Sequence, residues 1–211
     1  MCPYMDSRLT DAALTEAGRK QAQGARLQRD GGWPTVVFTS TLQRALETAV
    51  IAFGPGPERE GKGDPKPEPR FVALDELREQ SGVHYCDRRR PLAEIKKQFP
   101  NVDISRVADE EDTLWHDEIR ETKLHLAKRG LAVLKMAAAE PAADVAIVTH
   151  SSFLLTLFAV VLDVSASPEL GDCLPRESAA SSSWIWVKMR QRRRRRDCGG
   201  SDFGSPGKGA A

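Results

Sequence analysis

The chain has 211 residues, 40% hydrophobic and 29% charged, with a formal net charge of +1. That length suits one α/β domain, and the near-neutral balance argues against a surface built wholly for nucleic acid. Cys2, Cys86, Cys173 and Cys198 lack CxxC or Cys/His ligand spacing and read as reduced thiols, and no leader-like segment or long apolar run appears, so a soluble protein of the cytoplasm, with no membrane partner, is expected.

Residues 1–13 are poor in apolar side chains and read as a loop. Thr15 is a candidate N-cap for a helix from Glu16 to about Gln28, with a small apolar face of Ala17, Ala22 and Ala25. Gly31-Gly32 ends it. Thr35 to Thr39 is the first strand, and Ser40 or Thr41 is expected to cap the helix that follows. That helix carries Leu42, Ala45, Leu46 and Ala49 at i, i+3, i+4, i+7, which places Arg44 one turn in. Gly54 to Pro69, rich in Gly, Pro, Lys and Glu, reads as an exposed insertion within a single domain.

Arg70 to Leu74 is the second strand, followed by a polar segment from Asp75 to Arg88. Pro91 to Phe99 suggests a short helix, and Val102 to Asp117 is acidic and irregular. A long helix is expected from about Glu118 to Ala139, with Leu124, Ala127, Leu131, Leu134 and Ala138 as its seam. Asp144 to Thr149 is a β-branched strand that delivers His150 to its C-terminal end, where Ser151-Ser152 and an apolar helix begin. The two serines are candidate caps, and their backbone N–H groups would face an anion held beside His150. Trp184 to Val187 can form a terminal strand. The domain is expected to span residues 1–189, and 190–211 to be a disordered tail containing Arg192 to Arg196. Subtracting those five charges from +1 leaves −4. The arginine run is the one hint of a nucleic-acid partner or of nuclear import.

Strands alternating with helices predict a three-layer α/β fold with a mainly parallel sheet. In such a sheet, ligands sit at the C-terminal ends of the strands. Ser40, Arg44, Glu79 (or Glu76) and His150 all follow strand ends and can converge there. A guanidinium forks onto phosphate oxygens, an imidazole donates to another, and a carboxyl can protonate a leaving alkoxide. In isolation Arg44 would be a solvated helix charge and Ser40 a cap. Together they point to phosphate-ester chemistry, with no cofactor and no metal-ligand cluster.

At these residues the chain resembles the histidine phosphatase superfamily, the phosphoglycerate-mutase-like proteins. The resemblance is carried by Leu14-Thr15-x-x-Gly18-x-x-Gln21-Ala22, Ser40-x-Leu42-x-Arg44-Ala45-x-x-Thr48-Ala49, Leu77-Arg78-Glu79 with Cys86-Asp87, and Val148-Thr149-His150-Ser151-x-Phe153-Leu154. These four motifs cover roughly residues 9–160. The resemblance implies a phosphohistidine mechanism, in which Arg44, His150 and secondarily Ser40 hold the phosphoryl group and Glu79 acts as general acid. It implies a small phosphorylated substrate, and a phosphatase in preference to a mutase. The family's nucleophile stands in an Arg-His-Gly or Arg-His-Ala motif before the first of these segments. The histidines of this chain are His84, His116, His125 and His150, and no such motif is present. The chain is therefore expected to be inactive as written. It reads either as an N-terminally shortened product that has lost the family's first strand or as a non-catalytic phosphate-binding relative. Loss of an internal strand would leave neighbouring backbone groups unpaired, at about 1–3 kcal/mol for each buried group.

Overall fold

The computed structural model describes residues 2–27, 33–54, 68–141, 144–162 and 185–190. Its sheet has five strands in the order β3-β2-β1-β4-β5, comprising β1 (Val36–Ser40), β2 (Arg70–Leu74), β3 (Val102–Asp103), β4 (Asp144–Thr149) and β5 (Ile185–Arg190). The first four run parallel, and β5 pairs antiparallel with β4. β1 at the centre is buried at every position, so its Val-Val-Phe-Thr-Ser run needs no polar alternation. Its side chains divide between the two faces. Val37 packs with Ala45, Leu46 and Phe53 of α2 (Gln43–Phe53) and Ile95 of α3 (Leu92–Gln98). Val36 and Phe38 pack on the opposite face with Leu126 and Val133 of α4 (Lys123–Ala139) and Phe153 and Leu154 of α5 (Ser151–Thr156). α1 (Glu16–Leu27) lies outside α2. This is the expected three-layer arrangement.

Several expectations are corrected at the level of elements. Two short 3-10 turns, Pro3–Met5 and Ser7–Leu9, occupy the opening loop, and a two-residue β3 stands within the segment read as irregular. Thr15 does accept the Gly18 N–H at 3.1 Å, but Ala17 of the expected seam is exposed and Ala22 carries the burial. α4 begins at Lys123, because the Thr122 hydroxyl caps it by accepting the His125 N–H at 3.2 Å. Its buried stripe is Leu126, Ala127, Gly130, Val133 and Ala137. Leu124 and Leu131 of the expected seam are 67% and 45% exposed. A Cβ on Gly130 would lie 3.0 Å from Leu157, so the absence of a side chain lets α5 and the following π-helical turn, Leu157–Val161, come close.

The five strands are contiguous, and β4 is hydrogen-bonded on both sides. β1 pairs one flank of β4 and β5, from the C-terminal region, the other. β5 extends to Arg190, the first residue read as tail; residues 191–211, including the arginine run, and 55–67 of the insertion lie outside the described residues.

Candidate functional site

Parallel pairing aligns Ser40 with Leu74 and Thr39 with both Ala73 and Val148. Ser40, Asp75 and His150 therefore leave the sheet at one edge. Neither residue expected to cap α2 is its N-cap. Leu42 is its N-cap, the Ser40 oxygen accepts the Leu42 N–H at 3.2 Å, and the Thr41 hydroxyl donates to Asp75 at 2.6 Å. Ser40 is fully buried and committed to this turn. The cap comes from a distance. Asp11, at φ 47° and 1% exposed, accepts the Gln43 N–H at 2.7 Å and faces the Arg90 Nε at 3.3 Å through its other oxygen. Burial pushes the Asp11 carboxyl up from its ordinary range.

One residue beyond Gln43, Arg44 reaches across the site. It donates from Nη1 to the Cys86 carbonyl at 2.6 Å and from Nη2 to Asp87 Oδ1 at 2.9 Å. Asp87 is 3% exposed, and its second oxygen accepts from Arg120 at 3.0 Å, with the His84 ring 3.8 Å away. One carboxylate thus ties Arg44 to Arg120. Burial, followed by the charge of Asp87, raises the neighbouring Cys86 thiol to about 11. Arg78, buried to 1%, forks onto Asp112 at 2.8 and 2.6 Å and also donates to the Asp87 carbonyl at 2.8 Å.

His150 is fully buried as the N-cap of α5, and neither ring nitrogen has a hydrogen-bond partner. Burial, then the charges of Arg44, Arg129 and Arg78, hold its pKa well below the usual 6.5. The imidazole is neutral. A buried polar ring with two unpaired nitrogens carries an uncompensated desolvation cost, of about 1–3 kcal/mol per group. An oxyanion among these arginines would accept from the one ring N–H and remove that part of the cost.

Glu79 is buried and Glu76 half-buried. The Glu79 carboxylate lies over the first turn of α5, accepting the Ser152 N–H at 3.1 Å, the Phe153 N–H at 3.2 Å and the Ser151 hydroxyl at 3.3 Å. It also accepts the Gln80 N–H at 2.9 Å. The anion facing these N–H groups is therefore an internal carboxylate, and Glu79 performs the capping expected of the serines. Arg129 of α4 fixes the turn behind it by donating to the carbonyls of Glu76, Arg78 and Glu79. Glu121, pairing with Arg129 at 2.7 Å, is pushed up by burial and pulled down further by Arg129, to about 2.

The structure thus brings Arg44, Glu79 and His150 to one edge, with Ser40 beneath them. Sequence reasoning missed Asp11, Asp87, Arg120 and Arg129. Cys86-Asp87 stood inside a quoted motif, whereas nothing marked Arg120 or Arg129 among the many charged residues. His84 approaches through Asp87, and His125 is a surface residue paired with Glu121. Among the described residues no cluster of His, Cys, Asp or Glu is arranged to hold a metal ion, and no helix is long and apolar enough to cross a membrane.

The arrangement can be compared with known proteins. The chain is 35% identical over 173 residues to "Phosphoglycerate mutase-like protein 1" of Arabidopsis thaliana, covering 72% of this chain and 61% of that protein. It is 32% identical over 171 residues to a "Phosphoglycerate mutase-like protein" of the same plant, covering 72% and 62%. A "Probable phosphoglycerate mutase" of Arthroderma benhamiae is 35% identical over 121 residues, covering 54% and 34%. The chain thus spans about three fifths of the length of the plant relatives. No solved structure matches it. The family model of the histidine phosphatase superfamily, branch 1, matches residues 6–191, and the chain belongs to that superfamily.

Proposed function

We propose that the described residues form a phosphoryl-binding site inherited from metal-independent phosphomonoesterases that work through a phosphohistidine, and that this chain as it stands binds phosphate without turning it over. The observation that carries the reading is His150, an imidazole fully buried with both nitrogens unpaired and subject to the charge of Arg44. Arg44 has spent two of its five N–H donors on Cys86 and Asp87, leaving three for phosphate oxygens. A neutral imidazole donates one hydrogen bond more. Both groups neutralise charge that grows on the equatorial oxygens during transfer.

Transfer also needs an attacking group in line with the leaving oxygen. None of the 211 residues supplies the family's Arg-His-Gly or Arg-His-Ala. Glu79 retains the position suited to a proton donor, at the start of α5. To serve as one it would have to exchange its contacts with Ser152 and Phe153 for a proton. In the state seen, it caps the helix. The ligand in this reading is inorganic phosphate or a small phosphorylated molecule of the cytoplasm.

A second reading, a phosphotransferase of the phosphoglycerate mutase type, is favoured by the names of the relatives. Hydrolysis of p-nitrophenyl phosphate by purified chain tests the proposal. Negligible turnover is expected in the wild type and in His150→Ala. Turnover abolished by that substitution would show that a nucleophile is present after all.

A further inference from the structure

A cavity of about 320 Å³ opens between the segment after β2, residues 114–122 and the first turn of α4. Ser40, Arg44, Glu79 and His150 do not line it. Three sets of hydrogen-bond donors do. Arg78 is 1% exposed, and its terminal nitrogens are bonded to Asp112 and the Asp87 carbonyl, but its Nε–H has no partner. A buried charged N–H left unpaired calls for an ion or a water to complete it. Arg120, 27% exposed, makes both its bonds, to the Gly82 carbonyl and to Asp87, through Nη1. Its Nη2 and Nε are open among the described residues.

The third set is the start of α4, which borders the cavity through Thr122 and His125. The Thr122 hydroxyl takes up the His125 N–H, and the Lys123 and Leu124 N–H groups ahead of it have no partner within the helix. The positive end of a 17-residue helix therefore meets the two arginines at one place. The wall's two carboxylates do not use up these donors. Glu121 accepts from Arg129 through both oxygens and from the Ser81 N–H, with His125 Nδ1 at 2.6 Å. Asp75 Oδ1 accepts the Thr41 hydroxyl and lies 3.5 Å from Arg89. The His116 ring, also in the wall, has no hydrogen bond among the described residues.

We infer that this cavity binds a small tetrahedral oxyanion, a sulfate or phosphate group, between Arg120 and the first turn of α4. The donors come from three separate segments, so they suit an ion with acceptors pointing in several directions. A carboxylate offers two oxygens in one plane. No existing pair has to break, because Arg120 keeps Asp87 on Nη1 and Arg78 keeps Asp112 on its terminal nitrogens. This site does not depend on the phosphoryl-site reading above.

The experiment is an NMR titration of the purified chain with sodium sulfate, sodium phosphate and sodium acetate, each against sodium chloride at equal ionic strength. Sulfate and phosphate are expected to give saturable shifts of the Lys123 and Leu124 amides and the His116 ring, with acetate at least about tenfold weaker. Arg120→Gln should weaken sulfate at least about tenfold. Arg120 also holds Asp87, so a second variant is needed, and His116→Ala at an exposed position should weaken sulfate about threefold. Arg44→Ala should leave the sulfate response of these amides in place. Shifts that do not saturate or that chloride equals, affinity unchanged in both cavity variants, or a response lost in Arg44→Ala would overturn the site. A response at the cavity with a silent His150 ring would overturn the phosphoryl-site reading alone.

Discussion

Burial and three guanidinium groups keep the His150 ring neutral at pH values where a solvated histidine is charged. As pH falls through about 6.5, the unfolded chain takes up a proton that the folded chain refuses, so stability falls with pH, by up to about 1.4 kcal/mol per pH unit from this group. Denaturant unfolding between about pH 7 and pH 5 should therefore show a shallower slope in His150→Gln than in the wild type. Equal slopes would contradict the burial of a neutral ring. The position of His150 was legible in the sequence, because a β-branched run ending in His-Ser-Ser fixes where the strand stops. Its environment was not legible. Arg78 and Arg129 reach it from a loop and a helix far along the chain, and Asp87 gathers Arg44 and Arg120 through contacts of 43 and 33 residues' separation.

At the scale of elements, local signals work where they are local. The i, i+3, i+4, i+7 stripe of α2 is buried completely at Leu42, Ala45, Leu46 and Ala49. α4 is apolar nearly all round, so its sequence offers two stripes, and only packing against α5 selects Leu126 and Val133 over Leu124 and Leu131. Leu126→Ala is expected to cost about 2–5 kcal/mol, and Leu124→Ala no more than about 0.5 kcal/mol, in urea unfolding. Comparable losses would restore the other seam. The cap of α2 was illegible for a related reason. Ser40 and Thr41 have the right chemistry in the right place, but the carboxylate that satisfies the Gln43 N–H comes from Asp11 in a loop. Asp11→Ala removes that cap and one of the partners of Arg90, and should lower stability by about 1–3 kcal/mol. A loss below about 0.3 kcal/mol would mean that the loop merely rests on the helix.

For the whole molecule, the order of elements was enough to foresee a mainly parallel sheet with helices on both faces. The antiparallel β5 was not foreseen as a partner of β4, since a terminal apolar run carries no address for the strand it joins. The result is a sheet whose C-terminal edge collects Arg44, Glu79 and His150. In the proposed reading, binding and turnover are separable. The most direct test is the affinity of purified chain for inorganic phosphate, read by phosphorus NMR titration in the wild type, Arg44→Ala and Arg44→Lys. Saturable binding is expected in the wild type, weakened at least about tenfold in both variants, because a lysine cannot fork between Asp87 and a phosphate. Affinity unchanged in Arg44→Ala, or no saturable binding in the wild type, would contradict a phosphoryl site built on Arg44 and His150.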